Sequence, residues 1–279
     1  MDRALLHILE QCLASRQSCA LAVVIGISGS SAAALGDAAV FDAQGCLLAG
    51  WVGGGCAESL VGQAAREAIA TGNPASLELD MTSETSATGM PCGGAAQVFI
   101  RPCLPPARVW LFGHGAIAEH TAAMADRLGF EVIVSDPMAT AERFPTACTV
   151  YFDDYTLDSF QPAPDDHVII ATQHKGDQRI LAHALRHGVR SVALVASRHR
   201  GRLVLEALAE DGFAAHELAC IRTPAGLDIG AVGPAEIALS ILAEIIAIRR
   251  PATCQGQSIT LLANGLPYPG RAMEEEREQ

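Results

Sequence analysis

Two short stretches of the sequence join glycines directly to a cysteine, "GGGC" and "CGG". Their residues are Gly53, Gly54, Gly55, Cys56, Cys92, Gly93 and Gly94. Backbone N–H groups beside glycines can form a concave nest that binds an anion. A cysteine at the start of a helix is favoured as a thiolate, which is a nucleophile and a soft metal ligand. The pair predicts a ligand with an anionic group and with sulfur or a metal, the latter near Cys56 and Cys92; the alternative is two small buried cysteines in tight turns.

A different glycine pattern follows an apolar run in the second half of the chain. Gly113, His114 and Gly115 precede an amphipathic segment, and Asp136 ends the next apolar run. Glycines in this context let backbone N–H groups approach a diphosphate, and the acid can accept a hydrogen bond from a ribose hydroxyl. The pattern predicts a dinucleotide-binding turn. The alternatives are a turn kept for packing only, and for His114 a solvated side chain instead of a phosphate contact.

Other polar residues follow predicted element ends. Glu58 comes within one helical turn of Cys56, where it could orient a ligand, act as an acid or base, or simply complement the positive end of the helix. His174 and Asp177 follow the carboxyl end of a predicted strand, the edge at which open α/β sheets bind ligands.

The elements that must position the cysteine motifs are short strands and two helices. Apolar spacing predicts a helix over 2–15, a strand over 19–27, a hairpin turning at 42–45, a helix ending at Gly72, and strands over 75–80 and 95–102. Three prolines in "RPCLPPAR" then interrupt any helix or central strand. We therefore place a domain boundary there.

From Arg108 onwards, strands and helices alternate. Nearly all-apolar runs over 166–173 and 191–197 are typical of parallel strands buried on both faces. The predicted fold class is α/β: an N-terminal α+β domain over 1–103, a C-terminal Rossmann-like parallel-sheet domain over 108–250, and a tail over 251–279.

The composition and the net charge limit the classes of ligand and partner that the sequence predicts. The net charge of −12 argues against nucleic acid and against an anionic membrane surface. The only lysine, Lys175, does not follow a glycine-rich run, which excludes a Walker A loop. Nine cysteines with no CxxC pair and no regular spacing do not indicate a disulfide framework or a zinc site. With no signal-peptide pattern and no apolar run of about 18 residues, the sequence predicts a cytoplasmic protein.

The order of the motifs resembles that of a known family. "GSS", "GGGCAE", "GMPCGG", the glycine fingerprint and "PAGLDIGAVGPAEIALSILAEI" together are similar to the XdhC/CoxI (CoxF-like) family of accessory proteins for molybdenum hydroxylases, over roughly residues 5–248. The resemblance implies a family-specific N-terminal domain followed by a Rossmann domain.

The resemblance also implies a function. Such proteins bind the molybdenum cofactor (molybdopterin), often as its cytosine dinucleotide, support its sulfuration and deliver it to an apo molybdenum hydroxylase such as xanthine or carbon monoxide dehydrogenase. Implied partners are the large subunit of that enzyme, a cysteine desulfurase and a second copy in a homodimer. The expected role is that of a chaperone without turnover of its own. The glycine fingerprint and Asp136 taken alone favour the alternative, an NAD(P)- or FAD-dependent oxidoreductase. A third hypothesis is that the protein is an interaction scaffold.

Carried over to this chain, Cys56 and Cys92 match the two cysteine motifs of the family, and the fingerprint glycines with Asp136 match its nucleotide fold. Two positions differ. Members commonly have Pro-Arg after "GSS", where this chain has Ala32 and Ala33, so a positive phosphate contact is missing there. Many also have G-A-G-H where this chain has G-H-G-A.

Overall fold

The computed structural model describes residues 2–80, 94–152, 156–173 and 176–249. The chain divides into two compact units, Met1–Pro106 and Ala107–Gln279, which we call unit 1 and unit 2. The predicted tail over 251–279 lies outside the described residues, as do Cys92, Gly93 and His174.

In its described residues, 2–80 and 94–106, unit 1 has a five-stranded sheet and two helices. Its elements are α1 (Arg3–Ala14), β1 (Cys19–Gly29), β2 (Ala38–Asp42), β3 (Leu47–Gly50), α2 (Gly55–Thr71), β4 (Ala75–Asp80) and β5 (Gly94–Cys103). The strands lie in the order β3-β2-β1-β5-β4, and each neighbouring pair is antiparallel. The predicted hairpin is the β2–β3 pair. Unit 1 is therefore the expected α+β half of the chain.

Helix α2 packs on one face of this sheet through small residues. Ala57, Val61, Ala65 and Ala68 recur at helical spacing, and all four are buried against the sheet. The helix ends at Gly72, which has the left-handed conformation that favours glycine at this position. The packing of α2 fixes the place of its N-terminus, where the first cysteine motif lies.

Unit 2 is a six-stranded parallel sheet with helices on both faces. Its elements are β6 (Arg108–Phe112), α3 (Ala116–Arg127), β7 (Glu131–Ser135), β8 (Thr149–Tyr151), β9 (His167–Ile170), α4 (Asp177–Arg186), β10 (Ser191–Leu194), α5 (Arg198–Glu210), α6 (Ala215–Leu218), β11 (Ile221–Arg222) and α7 (Pro234–Arg249). The strand order is β11-β10-β9-β6-β7-β8. The order reverses between β6 and β9, as in dinucleotide-binding folds, so ligands are expected at the carboxyl ends of these two strands. The predicted fold class is confirmed.

Two apolar clusters hold unit 2 together, one on each face of the sheet. One contains Leu181 of α4 and Leu208 of α5, and the other contains Ala122 of α3 and Ile241 of α7. Because both faces are covered, β6, β9 and β10 are apolar after their first residue. Three elements were not predicted: β8, β11 and α6. They span three, two and four residues, too few for a hydrophobic period to show.

Candidate functional site

The first glycine motif forms the start of α2, and we call residues 53–56 the cysteine turn. Gly53, Gly54 and Gly55 all have left-handed φ values, +114°, +65° and +55°. The N-cap residue is Gly54, so the first N–H groups of α2 have no side-chain cap. Cys56 lies in the first helical turn and is exposed. The turn therefore presents uncapped N–H donors beside an accessible thiol.

An exposed tryptophan packs on this turn. A Cβ on Gly54 would lie 2.4 Å from Cη2 of Trp51, so the indole occupies the space of a side chain there. The indole N–H donates to the carbonyl oxygen of Ala32 at 3.5 Å. Ala33 is buried, and its Cβ lies 3.7 Å from the place of a Cβ on Gly53. The loop after β1 is thus packed against the cysteine turn, and Trp51 leaves 47% of its surface exposed beside it.

Gly94, the last residue of the second cysteine motif, lies against the same loop. It begins β5 and pairs with Gly29 at the end of β1. A Cβ on Gly94 would lie 2.2 Å from the carbonyl oxygen of Ser30, so only glycine fits. The structure therefore brings together the "GSS" loop, the cysteine turn and Gly94. Cys92 and Gly93 lie outside the described residues, and the proximity of the second thiol stays a prediction.

Glu58 lies in the first turn of α2 and is partly exposed. A carboxylate in this position complements the positive end of the helix. Its backbone N–H donates to the carbonyl oxygen of Gly54 at 3.4 Å, which is the first hydrogen bond of the helical ladder. The position is compatible with a stabilising role and with a ligand contact.

The second glycine pattern lies at the predicted edge of the parallel sheet, and we call residues 113–115 the dinucleotide turn. Gly113 has a φ of +133°, and a Cβ on it would lie 2.3 Å from the carbonyl oxygen of Ala171, which follows β9. Gly115 is the N-cap of α3, and no side chain caps this helix. A Cβ on Gly115 would lie 3.2 Å from Nε2 of Gln173. The turn is thus closely packed at Gly113, while uncapped N–H groups are present at Gly115.

His114 and Asp136 contact each other. Nδ1 of His114 lies 2.8 Å from Oδ1 of Asp136, and the backbone N–H of Met138 donates to the same oxygen at 2.8 Å. A ribose hydroxyl at this acid would therefore use the other oxygen, Oδ2. The two residues that the sequence assigned separately to phosphate and ribose form one unit in the structure.

Arg143 is a charged residue of this site that sequence reasoning missed. Its guanidinium donates to the carbonyl oxygen of His114 and pairs with Glu119 of α3 at 2.6 Å. These contacts hold the Arg143–Glu119 ion pair beside the dinucleotide turn. Arg143 lies in a loop with no motif, so no local signal could have identified it.

Gln173 was missed for a different reason. Its side chain reaches Gly115, and its backbone has a φ of +55°, which is uncommon for a residue with a side chain. Such a conformation depends on the surrounding structure and is not visible in a residue pattern.

Asp177 has a structural role at the neighbouring strand end. Its carboxylate is 4% exposed, accepts a hydrogen bond from the hydroxyl of Thr172 and pairs with Arg200 at 2.9 Å. These contacts tie α4 to the loop after β9 and to α5. Among the residues that the structure describes, no group of three or more His, Cys, Asp or Glu side chains could hold a metal ion.

The strand order and the dinucleotide turn define unit 2 as a Rossmann domain. Comparison with family models agrees: the XdhC Rossmann domain matches residues 109–245, and the XdhC and CoxI family matches residues 12–80. The chain belongs to the XdhC and CoxI family.

Two curated relatives are similar to this chain. The uncharacterized protein YqeB of Escherichia coli (strain K12) is 32% identical over 212 residues, which are 74% of this chain and 39% of that protein. A probable xanthine dehydrogenase subunit of Bacillus subtilis (strain 168) is 34% identical over 159 residues, 55% of this chain and 46% of that protein. The chain thus spans less than half the length of these relatives.

A solved structure of a xanthine dehydrogenase from Bacillus halodurans is 22% identical, with a TM-score of 0.49, over 91% of this chain and 97% of that chain. Across the described ranges, no helix has the length and apolar character needed to cross a membrane.

Proposed function

We propose that this protein binds the molybdenum cofactor as a pyranopterin dinucleotide, supports its sulfuration and delivers it to an apo molybdenum hydroxylase such as xanthine or carbon monoxide dehydrogenase. Membership of the XdhC and CoxI family and a relative named as a probable xanthine dehydrogenase subunit support this class of client. The observation that carries the proposal is that the cysteine turn and the dinucleotide turn each begin a helix that has no side-chain cap. Only the cysteine turn bears a thiol.

The dinucleotide turn suits the diphosphate of such a cofactor. The N–H groups at the start of α3 have no side-chain cap, and a phosphate oxygen is the acceptor that they lack. Arg143, which is paired with Glu119 in the first turn of α3, is the cation beside these donors. The residues present therefore fit an anionic dinucleotide, with Asp136 and His114 as further polar contacts.

The cysteine turn, taken by itself, has groups that suit sulfur or a metal. Cys56 is an exposed soft ligand, and Cys92 is its proposed partner. Trp51 offers an exposed aromatic face on which a flat pterin ring can stack. When bound, the cofactor supplies the dithiolene and molybdenum chemistry. The residues of this chain hold it, orient it and shield it until handover.

The proposal includes three partners. They are the large subunit of the client enzyme, a cysteine desulfurase that supplies the sulfur, and a second copy of this chain in a homodimer. Size-exclusion chromatography with light scattering, alone and with each partner, tests these interactions directly.

A second candidate is an NAD(P)- or FAD-dependent oxidoreductase. The Rossmann strand order and the dinucleotide turn favour it, because both are shared with such enzymes. The engagement of Oδ1 of Asp136 with His114 and Met138 does not separate the two functions, since a ribose hydroxyl of either dinucleotide would use Oδ2. The two functions differ in the ligand that binds most tightly.

A parallel titration separates the two functions. The purified full chain is titrated by calorimetry with the molybdenum cofactor cytosine dinucleotide, NAD and FAD. We expect the molybdenum cofactor to bind most tightly. Tight binding of NAD or FAD without binding of the molybdenum cofactor would refute the proposal.

Tryptophan fluorescence locates the ligand. Trp110 is buried at 3% exposure, so quenching by a bound pterin should come from the exposed Trp51. Quenching should vanish in Trp51→Phe and persist in Trp110→Phe. A client enzyme matured with and without the chain, and assayed for its terminal sulfido content, then tests delivery.

A further inference from the structure

Cys12, Cys19 and Cys103 of unit 1 lie in one cluster, away from the cysteine turn. Cys19 is the first residue of β1, Cys103 is the last residue of β5, and the two are register partners. Gly29 and Gly94 are register partners at the opposite end of the same two strands. About 10 residues of strand at roughly 3.3 Å each separate the cysteine pair from the "GSS" loop. The pair therefore does not belong to the cysteine turn of unit 1.

The register suits a cross-strand disulfide. Directly opposite residues of antiparallel strands have Cα atoms about 4.5–5.5 Å apart, and their side chains are on the same face. A disulfide joins Cα atoms about 4.4–6.8 Å apart. Cys19 and Cys103 also pack in the same apolar cluster. The register of Cys19 and Cys103 is therefore compatible with a bond between their sulfurs.

The two thiols differ in exposure. Cys19 is fully buried in an apolar cluster with Cys12 of α1, Leu5 and Val40. Cys103 packs at the margin of this cluster and is partly exposed. A reagent in solvent therefore reaches Cys103 first, and Cys19 is its nearest thiol partner across the sheet.

The two thiols also differ in acidity. The hydrogen bond donated by Cys19 lowers the pKa of Cys103 to about 6, against the effect of burial and with further help from the backbone of Leu21 and the charge of Arg101. The same contact, with burial and Cys12, raises the pKa of Cys19. The lowered pKa favours Cys103 as the attacking thiolate, and the raised pKa keeps Cys19 as the protonated, resolving thiol.

We propose that Cys103 and Cys19 are a modification site at which hydrogen peroxide forms a reversible disulfide between β1 and β5. The sulfur of Cys103 attacks the peroxide, the O–O bond breaks, and a sulfenic acid forms with release of hydroxide. The sulfur of Cys19 then attacks the sulfenic sulfur, the S–O bond breaks, and the hydroxide leaves as water with the Cys19 proton. Two electrons pass from the thiols to the peroxide, and a dithiol reductant reverses the step.

The bond would close a loop that contains most of unit 1, from Cys19 to Cys103. Closing such a loop restricts the unfolded chain, so the oxidised protein should unfold at a higher temperature than the reduced protein.

Peptide mapping of the full chain tests the site. The reduced protein is exposed to hydrogen peroxide at pH 7, alkylated in denaturant, digested with trypsin and chymotrypsin, and analysed by mass spectrometry. We expect one Cys19–Cys103 linked peptide that dithiothreitol removes. Cys103→Ser should abolish it, and Cys19→Ser should leave a sulfenic acid on Cys103 that dimedone traps. Cys46→Ser, which removes an exposed cysteine of the same unit, should still form the link.

Three outcomes would overturn the proposal. They are a Cys12–Cys19 link in place of Cys19–Cys103, a link between copies through an exposed cysteine, and recovery of Cys19 and Cys103 as free thiols while Cys46 or Cys56 is oxidised. Each of these outcomes would be detected with the unsubstituted protein. A folding defect in Cys19→Ser would therefore not affect the conclusion. Neither the expected linked peptide nor the three contrary outcomes require cofactor binding.

Discussion

The two glycine turns begin helices in the same way but present different chemistry. In the cysteine turn, three successive left-handed glycines are followed by an exposed thiol. In the dinucleotide turn, a single left-handed glycine packs against a neighbouring loop, and the polar side chains around it are already paired. Glycines at a helix start supply N–H donors in both cases. The residues around them decide whether the turn suits sulfur or phosphate.

Helix α5 shows the contrasting case of a capped start. Its N-cap is Ser197, whose hydroxyl accepts a hydrogen bond from the backbone N–H of Arg200 at 3.3 Å. This helix of unit 2 therefore satisfies one of its first donors internally. Helix α4 begins after Gly176 and has no side-chain cap either, but the buried carboxylate of Asp177 lies in its first turn. In α2 and α3, which follow the two glycine turns, no side chain of the helix start accepts from the first backbone N–H groups. A ligand oxygen can accept these hydrogen bonds.

The largest effect is expected when the packing of the dinucleotide turn is broken. In Gly113→Ala, the new Cβ would meet backbone atoms of Ala171 at a φ that alanine rarely adopts. We expect a loss of about 3 kcal/mol or more in the free energy of unfolding, measured by urea denaturation. Gly129→Ala, also left-handed but in open space, should lose only about 1 kcal/mol. Equal losses in both variants would contradict the close approach of Gly113 to Ala171.

A charge at Gly115 should block the ligand without breaking the fold. Gly115 has an ordinary φ, and aspartate is a good N-cap residue, so Gly115→Asp should unfold like the parent. Its carboxylate would compete for the N–H groups of α3 and repel a phosphate. We expect dinucleotide affinity to fall roughly tenfold or more, which is about 1.4 kcal/mol.

Two further variants separate charge from other effects. Gly115→Asn has nearly the same size without the charge and should bind more tightly than Gly115→Asp. Ser197→Asp adds the same charge at α5 and should bind like the parent. A loss in Ser197→Asp equal to that in Gly115→Asp would show that total charge, and not this turn, controls affinity.

The thiol of Cys56 distinguishes the cysteine turn from the dinucleotide turn. Cys56→Ala therefore tests what the thiol adds to ligand binding. We expect affinity for the molybdenum cofactor to fall roughly fivefold, about 1 kcal/mol, while any affinity for NAD is unchanged, both by calorimetry. Cys46→Ala removes an equally accessible thiol from unit 1 and is the matched control. Unchanged cofactor affinity and unchanged client sulfido content in Cys56→Ala would remove the thiol from the proposed function.

The smallest effect is expected at Arg143. Replacing it in Arg143→Gln removes a partly exposed charge whose contribution solvent reduces. We expect dinucleotide affinity to fall about threefold, with a weaker dependence on salt concentration. Arg190→Gln removes a surface arginine paired with Asp165 elsewhere in unit 2 and should change neither quantity.

The elements were largely predictable because their signals are local. The end of α2 at Gly72 and the hairpin between β2 and β3 follow from turn residues and apolar spacing within a few positions. The short strand β8 was not predictable, since three residues carry no period. Both glycine turns were found for the same reason as the long elements: a glycine run beside a helix start is a local pattern.

The contacts that give each turn its character join residues far apart in the chain. Trp51 meets Ala32, Gly94 meets Ser30, and Asp136 meets His114. None of these pairs has a sequence pattern, because strand order and register decide which loops meet.

The sequence by itself determined the fold class, the helix starts and the residues able to bind an anion or a soft atom. It could do so because backbone conformation and hydrophobic burial are expressed over a few neighbouring residues. Only the tertiary structure decided that Asp136 is paired with His114, that Arg143 reaches the dinucleotide turn and that Cys19 lies opposite Cys103. Those contacts depend on the pairing of distant strands, which no local pattern records.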